Sequence, residues 1–286
     1  MELTAEPCSP VGVEHAEGPF WYGDRFGWVD IMAGRLWVAG FDGTNLTDPR
    51  SYDAGRPLGA AVPRAGGGWL LAAGTAFYGL DEDGTVTPLT DDLADASLVR
   101  MNDGKCDPAG RFWAGTMDYG EERPTGSLYV YDGAVRTALE GVTISNGLAW
   151  SPDHRTMYYI DTPTGRVDAF DYDESTGEIS GRRPFAEVEG GHPDGMTVDD
   201  EGFLWVALWG GGAVRRFDPA GRVAGTVHVP AAKVTSCCFG GPGGTTLFIT
   251  TSMRDLSADQ RKAEPDAGRV FRAEPGVSGR PSRHFG

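Results

Sequence analysis

Apolar and polar positions alternate along this chain in short runs, and the runs recur. Residues 191–206 read G-H-P-D-G-M-T-V-D-D-E-G-F-L-W-V: an acid before a glycine, alternating apolar residues, a turn over 199–202, then a second apolar run. Residues 145–159 (S-N-G-L-A-W-S-P-D-H-R-T-M-Y-Y) and 101–114 (M-N-D-G-K-C-D-P-A-G-R-F-W-A) repeat the same order. Runs of this length, rich in β-branched and aromatic residues and bounded by Gly, Pro and Asp, predict β-strands. The second strand of each unit falls at 69–73, 111–115, 157–161, 204–208 and 247–251, and a third at 128–131, 167–170, 214–217 and 270–272.

The residue before the recurrent glycine, or its equivalent, sets a phase occupied by Glu17, Leu58, Asp103, Asn146, Asp194 and Ser236. The steps between them are 41, 45, 43, 48 and 42 residues, the length of one four-stranded propeller blade. Six such units predict an all-β chain, a six-bladed β-propeller forming a single domain over residues 1–286. The last unit shows only three strands. Residues 2–13 are expected to supply its fourth, in preference to the tail after Pro275, because that closes the ring and removes an exposed edge. Two insertions, 118–125 and 253–268, lie between second and third strands. In an up-and-down blade those connections emerge beside the start of the inner strand, so both should rim the channel mouth with the phase residues.

Composition agrees with many turns and narrows the partners. Glycine at 43 and proline at 19 of 286 residues punctuate the strands. A formal net charge of −16 argues against nucleic acid or an anionic membrane as partner, since both need clustered Lys and Arg. Cys8, Cys106, Cys237 and Cys238 show no C-x-x-C spacing and follow no signal peptide, which predicts buried free thiols in a cytoplasmic protein. No apolar run approaches a membrane span.

The phase residues are the candidates for chemistry. Asn-Gly and Asp-Gly also favour hairpin turns, but Glu17 has no turn preference, and units two and six manage with Leu58 and Ser236. Acid and amide oxygens converging on a channel explain the set better. With no His or Cys in phase, they form a hard-donor site suited to Ca²⁺, Mg²⁺ or Mn²⁺, and three protein ligands leave positions open for water or substrate. His15 and His192 flank the phase positions in sequence. Ser145 has no G-x-S-x-G context. Lys233 precedes the last inner strand, and the tryptophans read first as blade core.

The chain resembles the regucalcin/gluconolactonase (senescence marker protein type) family over nearly its whole length. The resemblance rests on A-E-G-P-F-W at 16–21, R-M-N-D-G-K-C-D-P-A-G-R-F-W-A-G-T-M at 100–117, S-N-G-L-A-W-S-P-D at 145–153, P-D-G-M-T-V-D-D-E-G-F-L-W-V-A at 193–207, T-S-C-C-F-G-G at 235–241 and A-G-R-V-F-R at 267–272. It implies a six-bladed propeller with one divalent cation (Ca, Mn, Mg or Zn) at the channel mouth and hydrolysis of a small sugar lactone to its aldonic acid. It further implies Glu17, Asn146 and Asp194 as metal ligands, and Arg100 and Asn102 as the substrate-contacting pair. Asp103, a ligand by periodicity, becomes by resemblance a neighbouring or backbone-capping acid. Some members carry an acid where this chain has Tyr119 and Gly120, and Asp118 or Glu121 could substitute for it. Asp194 is then also the expected general base. Two other readings use the same fold: a calcium-binding regulatory propeller without turnover, and a non-enzymatic interaction scaffold.

Overall fold

The computed structural model describes residues 1–286 as six antiparallel blades of four strands arranged in a β-propeller. The inner strands are Ala16–Tyr22, Leu58–Pro63, Val99–Cys106, Ser145–Trp150, His192–Val198 and Val234–Gly240. Each starts at the channel mouth and runs towards the opposite end. The ring closes as expected from the N-terminus. Glu6–Pro7 forms the outer strand of blade six, with Glu6 opposite Arg272. One feature was not foreseen: Glu2–Thr4 adds a fifth, parallel strand to blade five, with Glu2 opposite Thr226. The first residues therefore hold two blades together.

The recurrent D-x-x-G turn has a definite structural job. Asp199 Oδ1 accepts the amides of Glu201 and Phe203, while its Oδ2 accepts Trp205 Nε1 at 2.9 Å. Asp107 repeats this with the amides of Ala109 and Arg111 and with Trp113 Nε1 at 2.9 Å. An acid six residues before a tryptophan thus satisfies the turn and fixes the indole in the blade core, where Trp113 and Trp205 are fully buried. Satisfying those donors is what makes burying them affordable.

The core lies between blades. Trp205 and Val214 of blade five pack with Phe239 and Ile249 of blade six, and Leu70 and Phe77 of blade two pack with Phe112 of blade three. The tail after Pro275 adds no strand to blade six. It crosses beneath the ring, with Gly279 bonded to Gly244, Asp200 to Ser278, and Phe285 to Pro63, and so covers the end of the channel away from the mouth. A single short helix, Ala258–Ala263, lies in the second insertion and is capped by Ser257 and Gln260. No helix is long and apolar enough to cross a membrane. All four cysteines are buried free thiols.

Candidate functional site

Every inner strand slips register against its neighbour near the phase position. The slips fall between Glu17 and Phe20, Leu58 and Ala60, Met101 and Gly104, Ser145 and Leu148, Pro193 and Met196, and Val234 and Ser236. A bulge withdraws a residue from the ladder and re-aims its side chain. Asn146 and Asp194 therefore sit in bulges within strands, not in hairpin turns. The glycines serve close approach between neighbouring inner strands: a Cβ on Gly195 would lie 2.0 Å from Ser236 Oγ, and one on Gly59 would lie 2.6 Å from the carbonyl carbon of Met101. Backbone cannot step aside as a side chain can. Gly59→Ala should therefore lower unfolding stability by about 1–3 kcal/mol in urea titration, and an unchanged midpoint would show that the strands part freely. Leu58 departs from expectation. It belongs to the apolar cluster between blades one and two, because its unit's bulge takes up Gly59 instead.

The inner strands of blades one, three, four and five open on a cavity of about 340 Å³ at the mouth, which Glu17, Arg100, Asn102, Asn146 and Asp194 line together. Glu17 and Asp194 lie close enough to repel one another, and Asn146 lies beside Asp194. Asn146 Nδ2 donates to Thr162 Oγ1 at 2.8 Å, and that hydroxyl donates onward to the Pro193 carbonyl at 2.9 Å. This relay fixes which end of the amide is nitrogen and leaves Oδ1 as the acceptor facing its neighbours. Asn102 is fixed as firmly. Its Oδ1 accepts from Arg100 Nη1 at 2.8 Å and its Nδ2 donates to the Ser145 carbonyl at 2.8 Å. Asp103 lines a separate small space below the cavity with Lys105 and Ser236, and its carboxylate accepts the Gly104 amide at 2.6 Å. Lys105 in turn donates to the Met196 carbonyl at 2.6 Å.

Glu17 is 3 % exposed and Asp194 is 7 % exposed. Burial raises the pKa of both well above the usual carboxylate range. Repulsion from Asp194 and Asp103 adds to it for Glu17, and repulsion from Asp103 adds to it for Asp194. Asp103 is raised less, because Lys105 opposes its burial. Two buried acids driven up chiefly by burial and like charge mark a place whose electrostatics a cation would complete. No group of three or more His, Cys, Asp or Glu side chains is placed to hold a metal, so the amide of Asn146 would have to be the third donor. Two carboxylates and an oriented amide oxygen suit a hard cation.

That arrangement predicts a pH dependence. The folded-state values of Glu17 and Asp194 lie above their unfolded values, so their contribution to stability is complete below about pH 4 and is lost as pH rises through the raised values. Chelator-treated protein should accordingly melt lower at about pH 8 than at about pH 5, and a saturating divalent ion should raise the midpoint more at the higher pH. Equal gains at both pH values would take the two carboxylates out of the cation site.

The rim is built by the two insertions. Asp118 is fully buried and is spent within its own loop, where Arg123 lies 2.7 Å away and holds its carboxyl below the usual range. Glu121 instead lines the cavity, with its backbone in the left-handed region at φ 61°. Arg254 reaches towards it from the second insertion, 3.9 Å away. Lys233 does not point into the cavity. It donates to the Arg254 carbonyl at 2.6 Å and lies 4.7 Å over the Trp209 ring. His15 packs on the other side of the site against Trp209, ring centroids 5.6 Å apart, and its Nδ1 meets Ser252 Oγ at 3.2 Å. Burial, then Arg100, Arg254 and Lys233, push its pKa down to about 3, which keeps it neutral. His192 sits exposed at the rim. Ser145 is fully buried and accepts the Tyr159 hydroxyl at 2.8 Å, with no histidine beside it to make it a nucleophile. Thr162, Trp209 and Arg254 are among the lining residues that repeat phase does not reveal, since they lie at strand ends and in an insertion.

Residues 15–253 match the model of the SMP-30/Gluconolactonase/LRE-like region. The chain belongs to this family. A regucalcin of Xenopus laevis is 43 % identical over 234 residues, 78 % of each chain. Among solved structures, a calcium-binding protein, regucalcin, from Agrobacterium tumefaciens superposes with a TM-score of 0.94 at 26 % identity, covering 100 % of this chain and 98 % of that one. A gluconolactonase from Xanthomonas campestris superposes with a TM-score of 0.72 at 25 % identity, over 91 % of this chain and 86 % of that one. The family thus joins relatives named for calcium binding with relatives named for lactone hydrolysis.

Proposed function

We propose that this chain, acting as one cytoplasmic domain, is a divalent-metal-dependent lactonase that opens a small sugar lactone to its aldonic acid. The observation that carries the reading is the convergence of Glu17, Asn146 and Asp194 from three inner strands on one cavity, with two of them buried acids whose pKa values burial and like charge drive up. Those three residues would hold the cation, which when bound supplies a Lewis acid and lowers the pKa of water.

The chain's own groups account for the rest. Asp194 takes a proton from water as the water oxygen adds to the lactone carbonyl carbon, and the ring C–O bond breaks as Asp194 returns that proton to the ring oxygen. Arg100, joined to Asn102 through its Nη1, faces the cavity as a donor pair that orients substrate oxygens and steadies negative charge developing on the carbonyl oxygen. The relay through Thr162 holds Asn146 in its working orientation.

A calcium-binding protein without turnover would use the same three ligands. Proton release from a panel of five- and six-membered aldonolactones, with and without Ca²⁺, Mg²⁺, Mn²⁺ and Zn²⁺, separates the two. Metal-dependent release supports the lactonase. Tight cation binding with no release from any lactone leaves the binding protein.

A further inference from the structure

The chain carries 41 acidic residues against 25 lysines and arginines, yet two guanidinium groups, Arg100 and Arg254, line the cavity beside His15. Arg100 is 2 % exposed. Its Nη1 is committed to two neutral oxygens, of Met101 and Asn102, so its charge is buried without an ion-pair partner. A buried charge of this kind is costly until an anion meets it.

Arg254 is held in place through its backbone: its amide donates to Ser252 Oγ at 3.1 Å and its carbonyl accepts from Lys233. Its guanidinium, by contrast, has only loose partners. Glu121 lies 3.9 Å away and Asp255 lies 3.2 Å from Nε, and their side chains are 51 % and 73 % exposed. Glu121, which also acts on Arg100, is a rim side chain with room to turn outward. A bidentate guanidinium with a fixed backbone and a displaceable partner is built for a carboxylate.

We propose that the preferred substrate is the lactone of an acidic sugar, whose second carboxylate displaces Glu121 from Arg254 while the lactone carbonyl faces Arg100, making Arg254 a specificity-determining residue. The inference rests on the lactonase reading and deepens it. A neutral lactone offers Arg254 only hydroxyl groups, whereas a carboxylate across the ring from the reacting carbonyl meets its charge.

The matched probes are D-glucaro-1,4-lactone and D-glucono-1,4-lactone, which share ring size and differ in the terminal carboxylate. The expected kcat/KM ratio favours the acidic lactone by at least about tenfold at low salt. That ratio should collapse in Arg254→Gln, and Glu121→Gln, which removes the competing carboxylate, should lower KM for the acidic lactone. Neutral lactones hydrolysed as well as acidic ones, or a ratio indifferent to Arg254→Gln, would overturn the inference and leave the lactonase standing. Should no lactone be hydrolysed, the lactonase reading fails and the inference is decided by calorimetry. D-glucarate must then bind at least about tenfold tighter than D-gluconate, with that margin lost in Arg254→Gln, and equal binding rejects it.

Discussion

Asp194→Asn lowers kcat/KM for lactone hydrolysis by at least about 10³ and weakens divalent-ion binding in the same variant. Two roles meet on this carboxylate. It is one of two neighbouring buried acids at the mouth, so replacing it removes half of the negative charge that would hold the cation. It is also the base proposed to take the proton from water, a function an amide lacks. The substitution is nearly isosteric, and Asn146 already places an amide beside it, so folding should survive. Titration calorimetry and initial rates on one preparation test both parts. Retained affinity with lost turnover would keep Asp194 as the base and remove it from the ligand set. Retained turnover would reject both roles and move the proton transfer elsewhere in the cavity.

How far the sequence reveals this architecture depends on the kind of constraint. The blades were legible because each repeats short apolar strands bounded by a turn, and in blades three and five an acid satisfies that turn and reaches the indole six residues later, as Asp107 does for Trp113 and Asp199 for Trp205. Closure through Glu6–Pro7 followed from the cost of an open edge strand. The parallel pairing of Glu2 with Thr226 did not follow, since three residues carry no alternation long enough to read. Periodicity also located the bulges without resolving them. A bulge shifts register by one residue, so Leu58 occupies the phase yet turns into the interblade core. In the third blade two adjacent residues leave the ladder together, and Asn102 reaches the mouth while Asp103 lies below it beside Lys105. Repeat counting cannot separate neighbours of this kind; only their contacts do. The rim was legible in position alone. Chain order brought both insertions to the mouth, but the choice of Glu121 over Asp118 was decided by Arg123, which claims the buried Asp118.

Asn102→Ala should separate substrate handling from metal binding. The side chain makes two directed bonds, accepting from Arg100 Nη1 and donating to the Ser145 carbonyl, both at 2.8 Å. Its contact with Asn146 Oδ1 is longer, at 3.4 Å, so Asn146 keeps its stronger tie to Thr162 when Asn102 is removed. The cation site should then survive with affinity close to that of the parent. Arg100, by contrast, loses one of the two acceptors that hold its Nη1. Losing an oriented donor to developing negative charge typically costs about 10²–10³ in turnover, and that loss is expected in kcat with little change in KM. Arg100→Lys should resemble it, because a lysine ammonium cannot serve the Met101 carbonyl, Asn102 and a substrate oxygen from one planar fork. If Asn102→Ala instead abolishes cation binding together with activity, the third blade supplies a direct ligand. The site would then rest on four protein oxygens, and the bond between Asn102 and Arg100 would be a means of holding that ligand, with Arg100 no longer needed at the carbonyl.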